Sequence, residues 1–265
     1  MESQLESVVA EARLEQQMER ELPPAPFSLK AATVGGGQGG RQLPWSPVGL
    51  RKHHEIIARI SRIFRQQRTA EFLRRFKPVE QTRILDVGGL PRFWRDVPMK
   101  AHVTIINLSP LASHEADFLT ANQTFVQADA TKLPWADRSF DVVFSNSVIE
   151  HLGSWEKQMA FARECQRVGR SWWIQTPARE FPIEPHYAAP FLHWFSKPVQ
   201  KKLLRRFSLW GWLARPCDAA LDASLAELRL LKRSEFKILF PDCEIKTERL
   251  LGLRKSYVAF KLPAV

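Results

Sequence analysis

Short apolar runs that alternate with helical stretches dominate the chain after Pro78. Runs of this length typify buried parallel strands, and we place five of them at Arg83–Val87, His102–Leu108, Thr124–Gln127, Phe140–Ser145 and Ser171–Thr176. The clearest helix between them is Trp155–Arg167. Repeated strand-then-helix units with short connections predict a parallel sheet with helices on both faces.

The flanking segments complete the predicted domain. Apolar residues recur at helical spacing from Arg51 to Phe76, among many arginines, and predict a packing helix or, alternatively, a surface for phosphate or anionic lipid. We predict a helix over Leu225–Phe240 and two closing strands, Glu244–Leu251 and Ser256–Lys261. The chain thus divides into a flexible extension, 1–48, and one α/β domain, 49–265, with an N-terminal helix at 51–77 and a helical lid at 178–224.

Charge and cysteine content restrict the partners and the setting. The chain of 265 residues carries a net charge of +11, which favours an anionic partner: nucleic acid, an acidic membrane surface or an acidic small substrate. Its 3 cysteines share no metal-ligand spacing, so we expect no metal site and a reducing cytosol. The charged N-terminus has no apolar region of a secretory signal, and no stretch approaches the ~20 apolar residues of a membrane span.

Polar or small residues follow each predicted strand, where open α/β sheets bind their ligands. Glycines after the first strand permit a tight turn and a close approach of the backbone to a ligand. An amide after the second strand can bond ribose hydroxyls, and a carboxylate after the third can accept from an exocyclic amino group. The residues are Asp86, Gly88, Gly89, Asn107, Asp129, Ala130, Ser145 and Asn146.

The segment Phe125–Leu152, FVQADATKLPWADRSFDVVFSNSVIEHL, resembles the signature of class I methyltransferases of the ubiquinone-biosynthesis-like group (methyltransferase type 11). RILDVGG resembles the first glycine motif of that family, and the resemblance is good from Arg83 to Thr176. Further motifs, GGLPRFW, SNSVIEH and QTPxxxFPIEPH, together with the Asn after strand two, resemble those of a bacterial subgroup of uncharacterised methyltransferases. The resemblance implies a Rossmann-like, doubly wound sheet of seven strands, mostly parallel with an antiparallel last strand, and S-adenosylmethionine as cofactor.

Roles for the strand-end residues follow from the same resemblance. Gly88 and Gly89 would pass under the methionine part of the cofactor, with Asp86 ordering the turn. The resemblance places Asn107 at the ribose, Asp129 and Ala130 at the adenine, and Ser145 and Asn146 at the methionine end and the substrate. Two family features are absent: Leu90 and Arg92 replace the later glycines, and Asn107 replaces an acid, which removes the charge-assisted part of the ribose bond.

Methyl transfer is an in-line displacement, so the protein positions the nucleophile and removes its proton where it has one. His151 is the first candidate base, because histidine titrates near neutral pH, and His186 and Glu184 follow in a proline-framed loop after the fifth strand. The alternative for His151 is a histidine at a helix terminus that packs and hydrogen-bonds locally. A hydroxyl acceptor needs a base, whereas an amine or a carboxylate can react without one.

The insertion after the fifth strand, 193–215, combines aromatic and basic residues. It is compatible with a lid over the substrate or with an interfacial membrane element.

We expect a cytoplasmic methyltransferase, which contacts the inner face of the membrane peripherally if the second interpretation holds. We expect its acceptor to be a small molecule or a glycan- or lipid-linked compound that is anionic and is methylated on oxygen. The alternatives are a non-catalytic scaffold and an RNA methyltransferase, the latter disfavoured by the lack of an RNA-binding module. A dehydrogenase is disfavoured because G-x-G-x-x-G and the acid after strand two are missing.

Overall fold

The computed structural model describes residues 48–95, 97–184, 186–187, 189–207 and 217–263, and the side chains from residue 62 onward. The contacts reported below lie within the compact unit Arg51–Val265. The predicted extension 1–48 falls almost wholly outside the described residues, as does the 208–216 part of the insertion.

The elements follow one another in the predicted order, with strands and helices alternating through the centre of the chain. The strands are β1 Arg83–Val87, β2 His102–Asn107, β3 Gln123–Gln127, β4 Phe140–Asn146, β5 Gly169–Pro177, β6 Ile183–Glu184, β7 Ala189–Pro190, β8 Glu244–Leu250 and β9 Leu253–Lys261. The α-helices are α1 Val48–Phe76, α2 Pro91–Arg95, α3 Ser113–Ala116, α4 Trp155–Val168, α5 Lys197–Phe207, α6 Asp218–Glu227 and α7 Arg233–Leu239. Two 3₁₀ helices span Ile149–Leu152 and Leu192–Trp194.

Seven strands form one sheet in the order β3-β2-β1-β4-β5-β9-β8. Strands β1 to β5 are mutually parallel, and β9 runs antiparallel to both β5 and β8. The sheet therefore confirms the predicted seven-stranded α/β class with an antiparallel last strand. Since β1 to β5 share one direction, their carboxyl ends meet along one edge, which is where ligands bind in open α/β sheets.

Neighbouring residues of each central strand point to opposite faces and enter separate cores. Ile84 of β1 and Phe144 of β4 belong to the core that includes Phe72 of α1. Leu85 of β1 belongs to the other core, which holds Phe161 of α4 together with α7. Burial on both faces explains why the strands read as unbroken apolar runs in the sequence.

Helix α1 is a packing helix where its side chains are described. Phe72 is fully buried, and its ring centroid lies 5.1 Å from that of Phe144. The basic residues of α1 contribute to the packing as well. Arg68 is buried and donates to Glu248 of β8 at 2.8 Å, and the guanidinium of Arg75 lies 4.5 Å from the ring centre of Phe260. These contacts favour packing over the anion-binding surface that the sequence left open.

The single helix predicted over Leu225–Phe240 is wrong, because the structure breaks it into α6 and α7. The intervening segment packs alongside the end of β5. There Leu231 forms a parallel bridge with Ala178, and its carbonyl accepts a hydrogen bond from the Arg179 N–H at 3.0 Å. The periodic leucines of this stretch are buried by that contact instead of by a continuous helix.

The region 178–224, predicted as a helical lid, holds a two-stranded hairpin of β6 and β7 as well as α5 and the start of α6. Helix α5 is tied to the α6 region by its basic side chains: Lys197 Nζ donates to the carbonyls of Leu225 and Leu228, and Lys201 pairs with Asp222 at 2.7 Å. Within the described part of the chain, no helix is long and apolar enough to cross a membrane.

Candidate active site

The turn after β1 is built around a buried carboxylate. Asp86 is 2% exposed, and Trp94 Nε1 donates to its Oδ2 at 2.6 Å. Gly88 has φ +79°, a conformation that favours glycine, and its N–H donates to the Ile106 carbonyl at 2.8 Å. A Cβ atom on Gly89 would lie 1.7 Å from Asp86 Oδ2, so only glycine fits against this carboxylate. The turn-ordering role predicted for Asp86 is therefore consistent with its contacts.

Asp86 carries an electrostatic cost at neutral pH. Burial raises the pKa of Asp86 to about 7, against the hydrogen bond from Trp94, which lowers it. An unfolded carboxyl ionises near pH 4. Between about pH 4 and pH 7 the folded protein therefore keeps the Asp86 proton that the unfolded chain loses. The contribution of Asp86 to the free energy of unfolding is largest below about pH 4 and is lost as the pH rises toward 7.

We expect Asp86→Asn to remove this dependence, since an amide can still accept from Trp94 without bearing a charge. Between pH 5 and pH 8 the free energy of unfolding should fall by about 2–3 kcal/mol more in the parent protein than in the variant. Urea unfolding at both pH values measures the difference, and other titrating groups contribute equally to both proteins. Parallel pH profiles for the two proteins would show that Asp86 is already ionised when folded.

Asn107 and Asp129 mark the ends of β2 and β3, which are adjacent and parallel. Asn107 pairs in register with Gln127, the last residue of β3, and Asp129 follows two residues later. The N–H and the hydroxyl of Thr131 both donate to Asp129 Oδ1, at 2.8 and 2.7 Å. These bonds lower the pKa of Asp129, so it is a carboxylate at neutral pH. Ala130 beside it is half-buried.

Ser145 and Asn146 end β4 in the centre of the sheet. The Ser145 hydroxyl is buried and donates to the Val87 carbonyl at 2.9 Å, which ties β4 to β1. Asn146 is half-buried and pairs in register with Gln175 of β5. The next residue, Ser147, has φ 59° and donates its hydroxyl to Gln175 Oε1 at 2.8 Å. The chain thus turns sharply at the predicted methionine end of the site.

The loop after β5 brings two predicted catalytic residues into contact. His186 Nδ1 lies 2.5 Å from Glu184 Oε1. The other oxygen of Glu184 accepts from the Tyr187 N–H at 2.6 Å. Glu184 is fully buried and the His186 side chain is 6% exposed. A carboxylate in this position fixes the orientation of the imidazole ring and stabilises its protonated form.

His151, the third predicted catalytic residue, lies against this pair. Its ring centroid is 4.7 Å from that of His186, with the ring planes at 87°. His151 belongs to the 3₁₀ helix Ile149–Leu152 that follows β4, whereas His186 lies between β6 and β7, in the region that follows β5. The structure therefore brings His151, Glu184 and His186 into one cluster near the carboxyl ends of β4 and β5, an association that their sequence positions did not predict.

Glu150 is a member of this cluster that the sequence analysis did not select. It is fully buried, and Thr176, near the end of β5, donates to its Oε2 at 3.1 Å. Its Oε1 is buried without a hydrogen-bond partner. One potential ligand atom from each of Glu150, His151 and His186 lies within 4.8 Å of the others. A carboxylate between Ile149 and His151 in an otherwise apolar turn was the available sequence signal.

Burial and mutual charge shift all of these groups. Burial raises the pKa of Glu150 to about 7, opposed by the charge of His186. Burial, followed by the charge of His186, lowers the pKa of His151 to about 4, so this ring is neutral at pH 7. Burial alone would lower the pKa of His186, but the bond to Glu184 and the charges of Glu184 and Glu150 raise it. Such shifted groups at the ligand-binding edge of a sheet are typical of functional sites.

The strand-end residues fit S-adenosylmethionine by their chemistry. The half-buried amide of Asn107 can both donate to and accept from ribose hydroxyls, and the ionised Asp129 can accept from the adenine amino group. The positive φ of Gly88 turns the backbone at the end of β1, where the methionine portion would lie. Asp86 accepts a hydrogen bond from Trp94 and leaves no room for a side chain at Gly89, which suits a supporting role in this turn.

A mostly parallel seven-stranded sheet with an antiparallel last strand, with these polar groups after its parallel strands, is the Rossmann-like fold of the class I methyltransferases. Residues 85–171 match the family described as Methyltransferase domain. This match and the fold together support a class I, S-adenosylmethionine-dependent methyltransferase domain, as the sequence motifs predicted.

Two curated relatives agree with this assignment. A malonyl-[acyl-carrier protein] O-methyltransferase of Pseudescherichia vulneris is 30% identical over 151 residues, which is 55% of this chain and 59% of that protein. An uncharacterized methyltransferase of Mycolicibacterium vanbaalenii is 41% identical over 73 residues, 26% of this chain and 29% of the relative. The similarity therefore spans less than two thirds of either relative.

A solved structure of a SAM dependent methyltransferase from Aquifex aeolicus is also similar. It is 15% identical to this chain, with a TM-score of 0.41 over 72% of this chain and 87% of that protein.

Proposed function

We propose that the chain transfers a methyl group from S-adenosylmethionine to an oxygen atom of a small-molecule or glycan- or lipid-linked acceptor. The observation that carries this proposal is the cluster of Glu150, His151, Glu184 and His186 beside the cofactor edge of the sheet. An oxygen nucleophile requires removal of its proton or orientation of its lone pair, and the cluster offers imidazole and carboxylate groups for both tasks. A relative named as an O-methyltransferase supports oxygen as the acceptor atom.

The chain's own residues divide the work in this proposal. Asn107 and Asp129 hold the adenosine, and the turn at Gly88 and Gly89 positions the methionine end. Bound cofactor supplies an electrophilic methyl group on a sulfonium centre. His186, oriented by Glu184, takes the proton of an acceptor hydroxyl, while neutral His151 bonds and orients the acceptor. The gain in rate comes from alignment of the acceptor oxygen with the methyl carbon and from proton removal.

An anionic acceptor and a peripheral membrane contact belong to the same proposal. Trp194 and Phe195 of the insertion, and Phe191 just before it, are each 48–49% exposed. This exposure supports contact with an apolar or lipid-linked acceptor. Two lysines of α5 are already engaged, Lys201 by Asp222 and Lys197 by backbone carbonyls, so α5 has less free positive charge than the sequence suggested. We therefore assign the membrane or acceptor contact mainly to the aromatic residues.

Asp129→Asn provides a sharp test of the cofactor site. Both bonds from Thr131 reach Oδ1, so an asparagine retains the turn while its NH₂ replaces Oδ2, the oxygen that would accept from adenine. We expect S-adenosylmethionine and S-adenosylhomocysteine to bind the variant about 10- to 100-fold more weakly, as for loss of a hydrogen bond to a charged group. Calorimetric titration of both ligands measures this change.

Asp137→Asn is the matched control, because Asp137 lies on the same β3–β4 connection but is 77% exposed and pairs with Arg167. The control should bind both ligands like the parent protein. Equal affinities for the parent and for Asp129→Asn would remove Asp129 from the site. If the folded parent binds neither ligand, the catalytic proposal fails and a non-catalytic scaffold becomes the better description.

A further inference from the structure

We propose that Glu150, His151 and His186 form a binding site for a divalent transition-metal cation of the zinc type, which receives the acceptor oxygen. This inference deepens the proposed function and rests on it for the role of the metal, though not for its binding. Glu150 and His151 lie in the 3₁₀ helix after β4, and His186 lies between β6 and β7. The segments that follow β4 and β5 therefore hold the set together. Glu150 is fixed through its carbonyl, which accepts from the Arg229 N–H at 2.8 Å.

The donor set has the chemistry of a catalytic zinc site. Two imidazole nitrogens and one carboxylate oxygen leave at least one coordination position open, as in zinc enzymes with two histidines and a glutamate. Hard cations such as Mg²⁺ prefer all-oxygen sites, so nitrogen ligands favour a transition metal. One potential ligand atom from each of the three residues lies within 4.8 Å of those of the other two. Ligands about 2.0–2.2 Å from one zinc ion are about 3–4 Å apart, so side-chain shifts of about 1 Å complete the site.

Two further contacts favour a cation over a purely hydrogen-bonded cluster. Glu150 Oε1 is buried without a hydrogen-bond partner, an arrangement that costs free energy unless a positive group approaches. Glu184 binds His186 Nδ1 at 2.5 Å, so Nε2 is the ligand atom in this proposal. A carboxylate behind a histidine in this manner is the usual outer support of a metal ligand, which it orients and makes more basic.

With a cation bound, His151 and His186 serve as its ligands, and the cation replaces His186 as the group that promotes proton removal from a hydroxyl acceptor. Binding to the cation lowers the pKa of the acceptor hydroxyl, which releases its proton to solvent. The acceptor oxygen then donates an electron pair to the methyl carbon, the carbon–sulfur bond breaks with its electrons on sulfur, and neutral S-adenosylhomocysteine leaves. The metal undergoes no redox change, and no further co-reactant is needed.

The test is metal binding by the full-length chain, with any polyhistidine tag removed and the protein stripped by a chelator. We expect Zn²⁺ calorimetry to give about one equivalent per chain, and Co²⁺ to give visible absorption bands of a site with nitrogen ligands. Glu150→Gln and His186→Ala should weaken Zn²⁺ binding by at least about 100-fold, and Glu184→Gln by about 10- to 100-fold. His114→Ala, an exposed histidine far along the chain from the cluster, should leave it unchanged.

The possible outcomes distinguish failure of the metal-site proposal from failure of the proposed methyltransferase function. Absence of Zn²⁺ and Co²⁺ binding by the parent, or equal binding by the parent and Glu150→Gln, overturns the metal site. S-adenosylmethionine titrations of the same samples report on the proposed function independently. Cofactor binding without metal binding would leave the methyltransferase proposal standing, whereas metal binding without cofactor binding would support the site and refute the function.

Discussion

Phe72→Ala is expected to lower the free energy of unfolding by about 3–5 kcal/mol, the usual cost of removing a fully buried phenylalanine. The Phe72 ring is completely buried and lies within 6.3 Å, centroid to centroid, of four other rings. These belong to Phe76, Trp94, Phe144 and Trp173. The substitution therefore leaves a cavity between α1 and the sheet, and the melting temperature should fall by about 10 °C.

Ile63→Ala is the matched control for Phe72, since Ile63 lies two to three turns earlier in the same helix and is 51% exposed. It should change the free energy of unfolding by no more than about 0.5 kcal/mol. Urea unfolding of both variants measures the contrast. Similar small losses in the two variants would show that α1 is not part of the cooperative core.

The strands were predictable because a strand that is buried on both faces of a parallel sheet consists of consecutive apolar residues. The predicted run Phe140–Ser145 agrees with observed β4, Phe140–Asn146, to within one residue. The Leu225–Phe240 prediction was wrong because periodicity records which residues are buried and not what buries them. Leu231 is buried by a bridge to Ala178 at the end of β5, a contact between residues far apart in the chain.

The candidate site was predictable where it follows strand ends and was missed where it depends on packing. Asn107 and Asp129 end or follow adjacent parallel strands, so they lie at the same carboxyl edge of the sheet irrespective of how the other segments pack. Glu150 acquires its importance from burial and from the approach of His186, more than thirty residues later. No local pattern encodes that approach, so neither the raised pKa of Glu150 nor the three-residue cluster could be derived from the sequence.

Gly89→Ala is expected to abolish measurable cofactor binding and to destabilise the fold by about 2–3 kcal/mol or more, as overpacking in a rigid site does. The new methyl group would lie 1.7 Å from Asp86 Oδ2, far inside contact distance. The carboxylate cannot move aside, because it is buried and bonded to Trp94 at 2.6 Å. The β1 turn must therefore shift, and with it the backbone at Gly88 that faces the cofactor in the proposed site.

Gly252→Ala is the control that shows the cost of backbone strain without a steric clash. Gly252 has φ +79°, but a Cβ there meets nothing within 4 Å, so its alanine variant should lose only about 1–2 kcal/mol and keep full affinity for S-adenosylmethionine. Asp86→Ala combined with Gly89→Ala removes the colliding oxygen and should recover part of the stability lost by Gly89→Ala alone. Urea unfolding and cofactor calorimetry on the four proteins measure both effects. If Gly89→Ala binds the cofactor as the parent does, the β1 turn does not cradle it, and the glycines serve only the packing of Asp86.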